Sequence, residues 1–473
     1  MKILENKVRR IVKSENYNTI FDKKTGVFVR GGKTVKDDPK CSPMPEIADI
    51  EISSGKCHNS CKFCYKQNSS EGKLHNMTFE EFKTIFHKLA LTTVKVIYED
   101  GTVKEGEYNT SFDCWDYALM KSDIQNYLNE KLTKMGFKVK NILVYNKGLL
   151  SQIAFGITSP YDNPDFFKMM EYARSFDVIP NYTINGQDMT DKVAERTANL
   201  CGACAISILS NKEKSYDAVE KLSKQFIDLN QKIRIVQTDK DYSWLTTQYW
   251  FKFKDDILST ELEGMFEGDY FDIVLKDYIE QNNLTEDETD ELLGNIIKKR
   301  FKINFHIVAM EDIFDLIMQT MKDVKTDKRL KGLTAIVLLK YKPKGTNAGK
   351  FKQLSKEHYQ EIFDYAEENK IGIGFDSCSA PVFMESIKNK ENSESLEMLA
   401  EPCESTLFSI YINSYGETSP CSFCENEGEW TEGISVLKCH DFISDVWNNE
   451  RIKNFREKLL NNDRHCPMFN LED

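Results

Sequence analysis

No run of 18 or more apolar residues occurs in the 473-residue chain, and its first residues, Met1-Lys2-Ile3-Leu4-Glu5-Asn6-Lys7, contain no apolar signal-peptide segment. A membrane-spanning helix needs about 20 such residues, and a secretory signal an apolar core of roughly 7–15. The sequence therefore predicts a soluble, cytoplasmic protein with no membrane partner. Long cationic runs are missing too. Lys and Arg number 63 against 75 Asp and Glu, for a net charge of −12, and no basic stretch is long enough to track a phosphate backbone. Nucleic acid is disfavoured as a partner. What the chain does hold is 40% hydrophobic and 11% aromatic residues, enough for a sizeable core in a chain two to three times an average domain.

Cysteine is abundant. Thirteen cysteines, an odd number falling in two clusters with a few strays, suit metal–sulfur ligation in a reducing compartment better than a disulfide framework. Cys57, Cys61 and Cys64 put three thiols in eight residues, with three residues and then two between them. The paired CxxC or CxxH units of a structural zinc site are missing there. Three ligands leave one iron of a four-iron cluster without a protein ligand, and an open position separates a catalytic metal site from a structural one. Cys41 and Cys114 read as ordinary thiols. Cys201 and Cys204 stand at the entry to a buried strand and read as core residues.

The pattern of elements is an alternation. Asp49 to Ser53 alternates as a short strand and leads into the cysteine loop; Thr78-Phe79-Glu80-Glu81 is a capping box opening a helix with Phe79, Phe82, Ile85, Phe86 and Leu89 on one face. Strands follow at 152–157, 179–184, 203–208, 303–308 and 333–339. Helices are expected after Asn163 as N-cap with Pro164 in the first turn, and near 190–200, 216–229, 313–324 and 355–369. Six strand–helix units in series imply a parallel sheet with right-handed crossovers. Two insertions, at about 92–140 with a hairpin-like turn at Tyr98 to Thr102, and at 231–299, interrupt the rhythm and are candidate substrate covers. Residues 1–46 carry two strand-like runs around a turn ending at Gly26.

The CxxxCxxC spacing, with aromatic Phe63 before the third cysteine, resembles the signature of the radical SAM enzymes. That resemblance implies a 4Fe-4S cluster on Cys57, Cys61 and Cys64, whose open iron chelates S-adenosyl-L-methionine (SAM) and whose electron breaks the sulfonium bond to release a 5′-deoxyadenosyl radical. It implies an α/β fold, a partial (β/α)6 TIM-like barrel over residues 47–370, and an electron donor such as flavodoxin or ferredoxin. Phe63 would lie near the adenine. Gly156-Ile157-Thr158-Ser159-Pro160 matches the loop that reads GGE and then Pro in the family, so Gly156, Thr158 and Ser159 become cofactor contacts, with Ser159 where a glutamate is usual. Asn185, in Tyr182-Thr183-Ile184-Asn185-Gly186, and Ser207 on the fourth strand complete the implied contacts. His306 could face the barrel interior, although a lone strand histidine is more often a core residue.

Six further cysteines, at 378, 403, 421, 424, 439 and 466, crowd the last hundred residues. Cys403, then twelve residues, then Gly416-x-x-x-x-Cys421, resembles the opening of the SPASM or twitch extensions, which implies a small cysteine-rich domain over 371–473 and an auxiliary 4Fe-4S cluster. Cys403 and Cys421 are the leading ligands, with Cys424, Cys439 and Cys466 competing for the rest and Cys378 outside the pattern; a structural zinc site is the alternative. Alternating Phe408, Ile410 and Ile412 before a turn at 414–416 predict a hairpin independently. Enzymes with such extensions mostly modify peptides or proteins, so a peptide or protein substrate is expected. A small metabolite or nucleotide is the second expectation, and a non-catalytic iron–sulfur or zinc protein the third.

Overall fold

The computed structural model describes residues 2–5, 9–14, 17–23, 26, 28–32, 39–59, 61–66, 68–108, 120–208, 212–231, 248–253, 256–261, 285, 302–345, 348–397, 400–469 and 471. Cys114 and most of the 231–299 insertion lie outside them. The chain divides into two compact units, one of residues 1–39 and 223–301, the other of 40–222 and 302–473. In the first, strands Lys2–Glu5, Arg9–Lys13, Asn18–Asp22 and Phe28–Gly31 form an antiparallel sheet in chain order. The hairpin expected around Gly26 is its second half, and Gly26 has the positive φ of +75° that the turn requires.

The second unit is built on a ten-stranded sheet. Seven parallel strands lie side by side in chain order: β1 (Ile47–Glu51), β2 (Gln152–Gly156), β3 (Ile179–Ile184), β4 (Ala203–Ser207), β5 (Lys302–Ala309), β6 (Ala335–Lys340) and β7 (Ile373–Phe375). The first six are the expected strands, shifted by two residues or fewer at most ends. Strand β7, only three residues long and broken by Gly374, has no period to read. On the other side of β1 lies β8 (Ser409–Ile412), parallel to it, followed by antiparallel β9 (Glu417–Ser419) and β10 (Ile434–Ser435). The predicted C-terminal hairpin is therefore real, and it also extends the main sheet.

Helices follow the strands: α1 (Phe79–Ala90), α2 (Phe166–Ser175), α3 (Asp191–Leu200), α4 (Lys212–Gln231), α5 (Phe314–Thr326) and α6 (Lys356–Glu368). The Thr78–Glu81 capping box opens α1 with both reciprocal bonds formed. Helix α2 starts two residues later than expected, with Asp165 as N-cap. Asn163 is occupied elsewhere: its amide donates to the carbonyls of Ile52 and Met77, tying the loop after β2 to the segments on either side of the cysteine loop. The 92–140 insertion forms a three-stranded antiparallel sheet, ordered Val139–Asn146, Thr92–Tyr98, Val103–Glu107, with the expected turn at Gly101 and a helix at Lys121–Lys134.

The two faces of the parallel sheet differ in kind. Phe155 meets Phe82 of α1 and Phe166 of α2; Tyr182 meets Phe166, and Phe305 meets Tyr216 of α4. This face is packed with large apolar groups under helices. Alternation gives the other face Ala154, Gly156, Asn181, Thr183, Ala205, Ser207, Asn304 and His306, which are small or polar. Such a face leaves room and hydrogen-bonding capacity for a ligand.

Candidate functional site

The cysteine loop leaves the carboxyl end of β1 through Ser53–Ser54, which pairs with His75–Asn76 at the loop's exit. Its two ends cross almost in contact. Gly55 has φ +87°, and a Cβ there would meet the carbonyl oxygen of Lys73 at 2.1 Å, so only glycine fits. The Gly55 N–H donates to Asn68 Oδ1 (2.8 Å), the Cys57 N–H to the Ser69 carbonyl (2.9 Å), and the Cys64 N–H to the Cys61 carbonyl (3.0 Å). All three cysteines are half-buried. Burial first, and then the like charges of Cys64 and Cys57, push the Cys61 thiol up to about 11. Deprotonating Cys61 therefore needs a cation beside it, a condition that an iron–sulfur cluster would meet. Phe63 packs edge-on against Phe351, ring centroids 6.4 Å apart.

The other expected contacts gather at the same end of the sheet. Gly156 lies beside Glu51 in register, and a Cβ on it would come within 3.0 Å of the Glu51 backbone. The glycine makes room for that glutamate. Thr158 donates to Asp162 Oδ2 (2.6 Å), and Ser159, 4% exposed, accepts from the Tyr161 N–H (3.3 Å) inside its own turn. Asn185 accepts from the Gln187 N–H (2.8 Å), and the Gln187 amide reaches Asn59 in the cysteine loop. Ser207 is in register with His306, whose Nδ1 lies 3.4 Å from Thr183 Oγ1. Burial, partly opposed by Asp376, lowers His306 to about 4, so its ring is neutral near pH 7. On the same face the buried Oδ1 of Asn304 has no hydrogen-bond partner among the described residues.

Sequence reasoning missed the seam between the two cysteine-rich regions. Tyr65, next to Cys64, packs at a tilt against Phe423, ring centroids 4.0 Å apart, and donates to Ser422 Oγ at 3.2 Å; both partners stand between Cys421 and Cys424. Lys66 forms ion pairs with Glu51 (3.0 Å) and with Glu425, the residue after Cys424, and donates to the Tyr411 hydroxyl of β8 (2.6 Å). Tyr411 in turn donates to the same two carboxylates, 3.1 Å from Glu51 and 3.2 Å from Glu425. Burial alone would lower Lys66, but Glu51, Tyr65 and Glu425 outweigh it and hold the ammonium above its usual value. The sequence signal was thin: a Tyr-Lys pair after one cysteine turn and a glutamate after another.

Five C-terminal cysteines, Cys424 buried and the others half-buried, come together from separate segments. Cys378, Cys403 and Cys466 line one cavity of about 430 Å³. Cys421 and Cys424 have sulfurs 3.5 Å apart; Cys378, Cys403 and Cys466 feel the charge of Cys421, and Cys424 feels that of Cys466. A hydrogen bond from the Cys424 thiol, aided by backbone N–H groups, pulls Cys421 down towards the thiolate. Burial pushes Cys403 up to about 12, and Cys378 up as well. Cys378, which no motif singles out, lies within the set. Cys439 lies apart from it, with its thiol donating to the Val436 carbonyl (3.1 Å) near Lys88 and Asp445. Cys201 and Cys204 are buried core residues as read. Among the described residues no three Cys, His, Asp or Glu side chains close around a single ion; ligands to separate irons of one cubane need not do so.

No family model matches the chain, and no curated protein sequence does. Solved structures do share its fold. SuiB from Streptococcus suis superimposes with a TM-score of 0.51 at 9% identity, over 96% of this chain and 90% of SuiB. SuiB bound to its precursor peptide SuiA gives 0.47 at 10% identity, over 88% of this chain and 67% of that one. The protein anSMEcpe, with S-adenosylmethionine and a peptide bound, gives 0.42 at 12% identity, over 87% and 84%. This chain thus shares its fold with SuiB, and the motif whose spacing resembles the radical SAM signature is its Cys57–Cys64 turn.

Proposed function

We propose that this protein is a radical SAM enzyme acting on a peptide or protein. The observation that carries the reading is the loop of Cys57, Cys61 and Cys64 at the carboxyl end of the first of seven in-order parallel strands, the end where α/β sheets bind ligands. The strand order also supports a partial barrel. With every crossover stepping the same way, right-handed connections put the helices on one face, and the small, polar face is left to curl around a ligand.

In this reading Cys57, Cys61 and Cys64 hold a 4Fe-4S cluster, and Phe63, Gly156, Thr158, Ser159, Asn185 and Ser207 form the walls of the SAM site. Bound there, cluster and SAM would supply the radical chemistry that removes hydrogen from the substrate. The chain's own groups position the reactants. Asp162, held by Thr158, offers a carboxylate three residues from Ser159, where the motif lacks one. Asn304 Oδ1 offers an unused acceptor on the inner face, and neutral His306 beside it adds no charge. The C-terminal thiols hold an auxiliary cluster, with Cys378 replacing Cys439 among the candidates. A flavodoxin or ferredoxin supplies the electron, in the cytoplasm. The peptide substrate rests on the resemblance of the Cys403–Cys421 segment and on the fold shared with SuiB, a protein also solved with a precursor peptide.

Anaerobic reconstitution with iron and sulfide, reduction, and incubation with SAM tests the class. The expected product is 5′-deoxyadenosine with methionine. A brown, iron-loaded protein that leaves SAM intact would reduce the chain to a binder.

A further inference from the structure

Beside the C-terminal cysteines lies a buried cation that the reading above does not use. Lys342 follows β6, and its side chain is 3% exposed. Its ammonium donates to Asp376 Oδ2 at 2.5 Å, two residues before Cys378. On its other side it stands 4.2 Å from the centre of the Phe423 ring, inside the Cys421-Ser422-Phe423-Cys424 turn. Lys344, on the same segment, donates to the carbonyls of Phe423 and Glu425 (2.9 Å to the former), fixing the segment against that turn. Burying an ammonium costs several kcal/mol unless it is paired, and a packing role alone would be met by a neutral side chain.

We propose that Lys342 is the charge that sets the reduction potential of the metal centre held by the C-terminal cysteines, shifting it towards easier reduction. The inference rests on the reading of those cysteines as a cluster site. Thiolates and sulfides make such a centre strongly anionic, and one added electron makes it more so; a fixed positive charge in a low-dielectric surrounding stabilises the reduced form more than the oxidised one. The ammonium lies against the Cys421–Cys424 turn, and its carboxylate partner Asp376 stands two residues before Cys378. Lys342 and Asp376 thus form a dipole with its positive end towards the Cys421 turn.

The test uses the full-length chain with Cys57, Cys61 and Cys64 all changed to Ala, so that any remaining cluster belongs to the C-terminal set. Iron and sulfide are counted, and the midpoint potential is read by EPR-monitored redox titration. In that background Lys342→Gln should leave the iron count unchanged and move the midpoint to a more negative value. Lys342→Arg should hold the midpoint near its starting value, and Asp376→Asn should move it the opposite way. A Lys342→Gln protein with full iron and an unmoved midpoint overturns the inference while leaving the cluster reading intact. A background protein without iron overturns the second centre itself, and the inference with it. If Lys342→Gln does not fold, Asp376→Asn and Lys342→Arg decide alone: an unmoved midpoint in Asp376→Asn, or a displaced one in Lys342→Arg, overturns it.

Discussion

The two cysteine regions solve one problem in opposite ways. Cys57, Cys61 and Cys64 come from a single loop, half-buried, whose shape is set by local bonds and by Gly55. The C-terminal set draws Cys378, Cys403, Cys421, Cys424 and Cys466 from segments up to 88 residues apart; Cys424 is buried and the others half-buried, and Cys403, Cys421 and Cys424 pack with Leu407, Phe408, Trp430, Ile452, Phe455 and Leu459. On the proposed reading, a local loop with three donors would leave a coordination position open, and a set with five could close every position. That reading assigns chemistry to the first site and electron storage or substrate anchoring to the second, and Tyr65 and Lys66 tie the two segments together.

The comparison breaks first at the loop. Changing any one of Cys57, Cys61 or Cys64 to Ala should lower 5′-deoxyadenosine formation by at least about 1,000-fold, some 4 kcal/mol or more in barrier height, while circular dichroism stays native. Retained activity in any of the three variants would remove the basis of the proposed function.

The Lys66 tie comes second. Lys66 is 14% exposed and balances two carboxylates whose side chains are 8% and 15% exposed. Lys66→Met leaves Glu51 and Glu425 facing each other without a cation, and the loss should be about 3–5 kcal/mol, read by urea unfolding of the apo-protein. Adding Glu51→Gln and Glu425→Gln to Lys66→Met should recover most of it. A single variant as stable as the parent would mean that the two regions are held by the Tyr65–Phe423 contact and β8 pairing alone.

Asp49 gives the third and a pH signature. It lies on β1 opposite Tyr411 of β8, and burial, then the charge of Glu404, raises its carboxyl from the ordinary 3.8 to about 6. The folded chain therefore binds this proton more tightly than the unfolded chain does. The associated stability is complete below pH 3.8 and is lost as pH rises through about 6. Asp49→Asn should gain about 1–3 kcal/mol at pH 8 and nothing near pH 3.5, measured as the pH dependence of the urea midpoint. A gain independent of pH would assign the effect to packing.

What was legible in the sequence follows the same division. The capping box of α1, the six strands and the cysteine loop are local patterns, in which neighbours in sequence are neighbours in space. Cys378 was invisible because its partners are 25 residues or more away in the chain and no spacing rule joins them. The pairing of β8 with β1 was hidden for the same reason: alternation in Phe408 to Ile412 predicts a strand but not which edge it finds. Nothing local marks Lys66, since its counter-charges Glu51 and Glu425 lie 15 and 359 residues away. Ser159 lies in the loop after β2, and its hydroxyl accepts from the Tyr161 N–H, a bond that only the folded turn reveals.

The smallest expected effect separates Cys439 from its neighbours. Spacing made it a competitor for the C-terminal site, but its thiol is committed to the Val436 carbonyl, and Lys88 next to it donates to the carbonyls of Val436, Leu437 and Cys439. Removing one neutral, half-buried hydrogen bond costs about 1 kcal/mol or less. Cys439→Ala should therefore leave iron and sulfide per chain unchanged after reconstitution, and shift the unfolding midpoint only slightly. Cys403→Ala and Cys466→Ala, made alongside, should each lower the iron content, because their thiols face the shared cavity. Iron loss in Cys439→Ala equal to that in Cys403→Ala would move the C-terminal site towards the β10 end of the sheet and return Cys378 to the role of bystander.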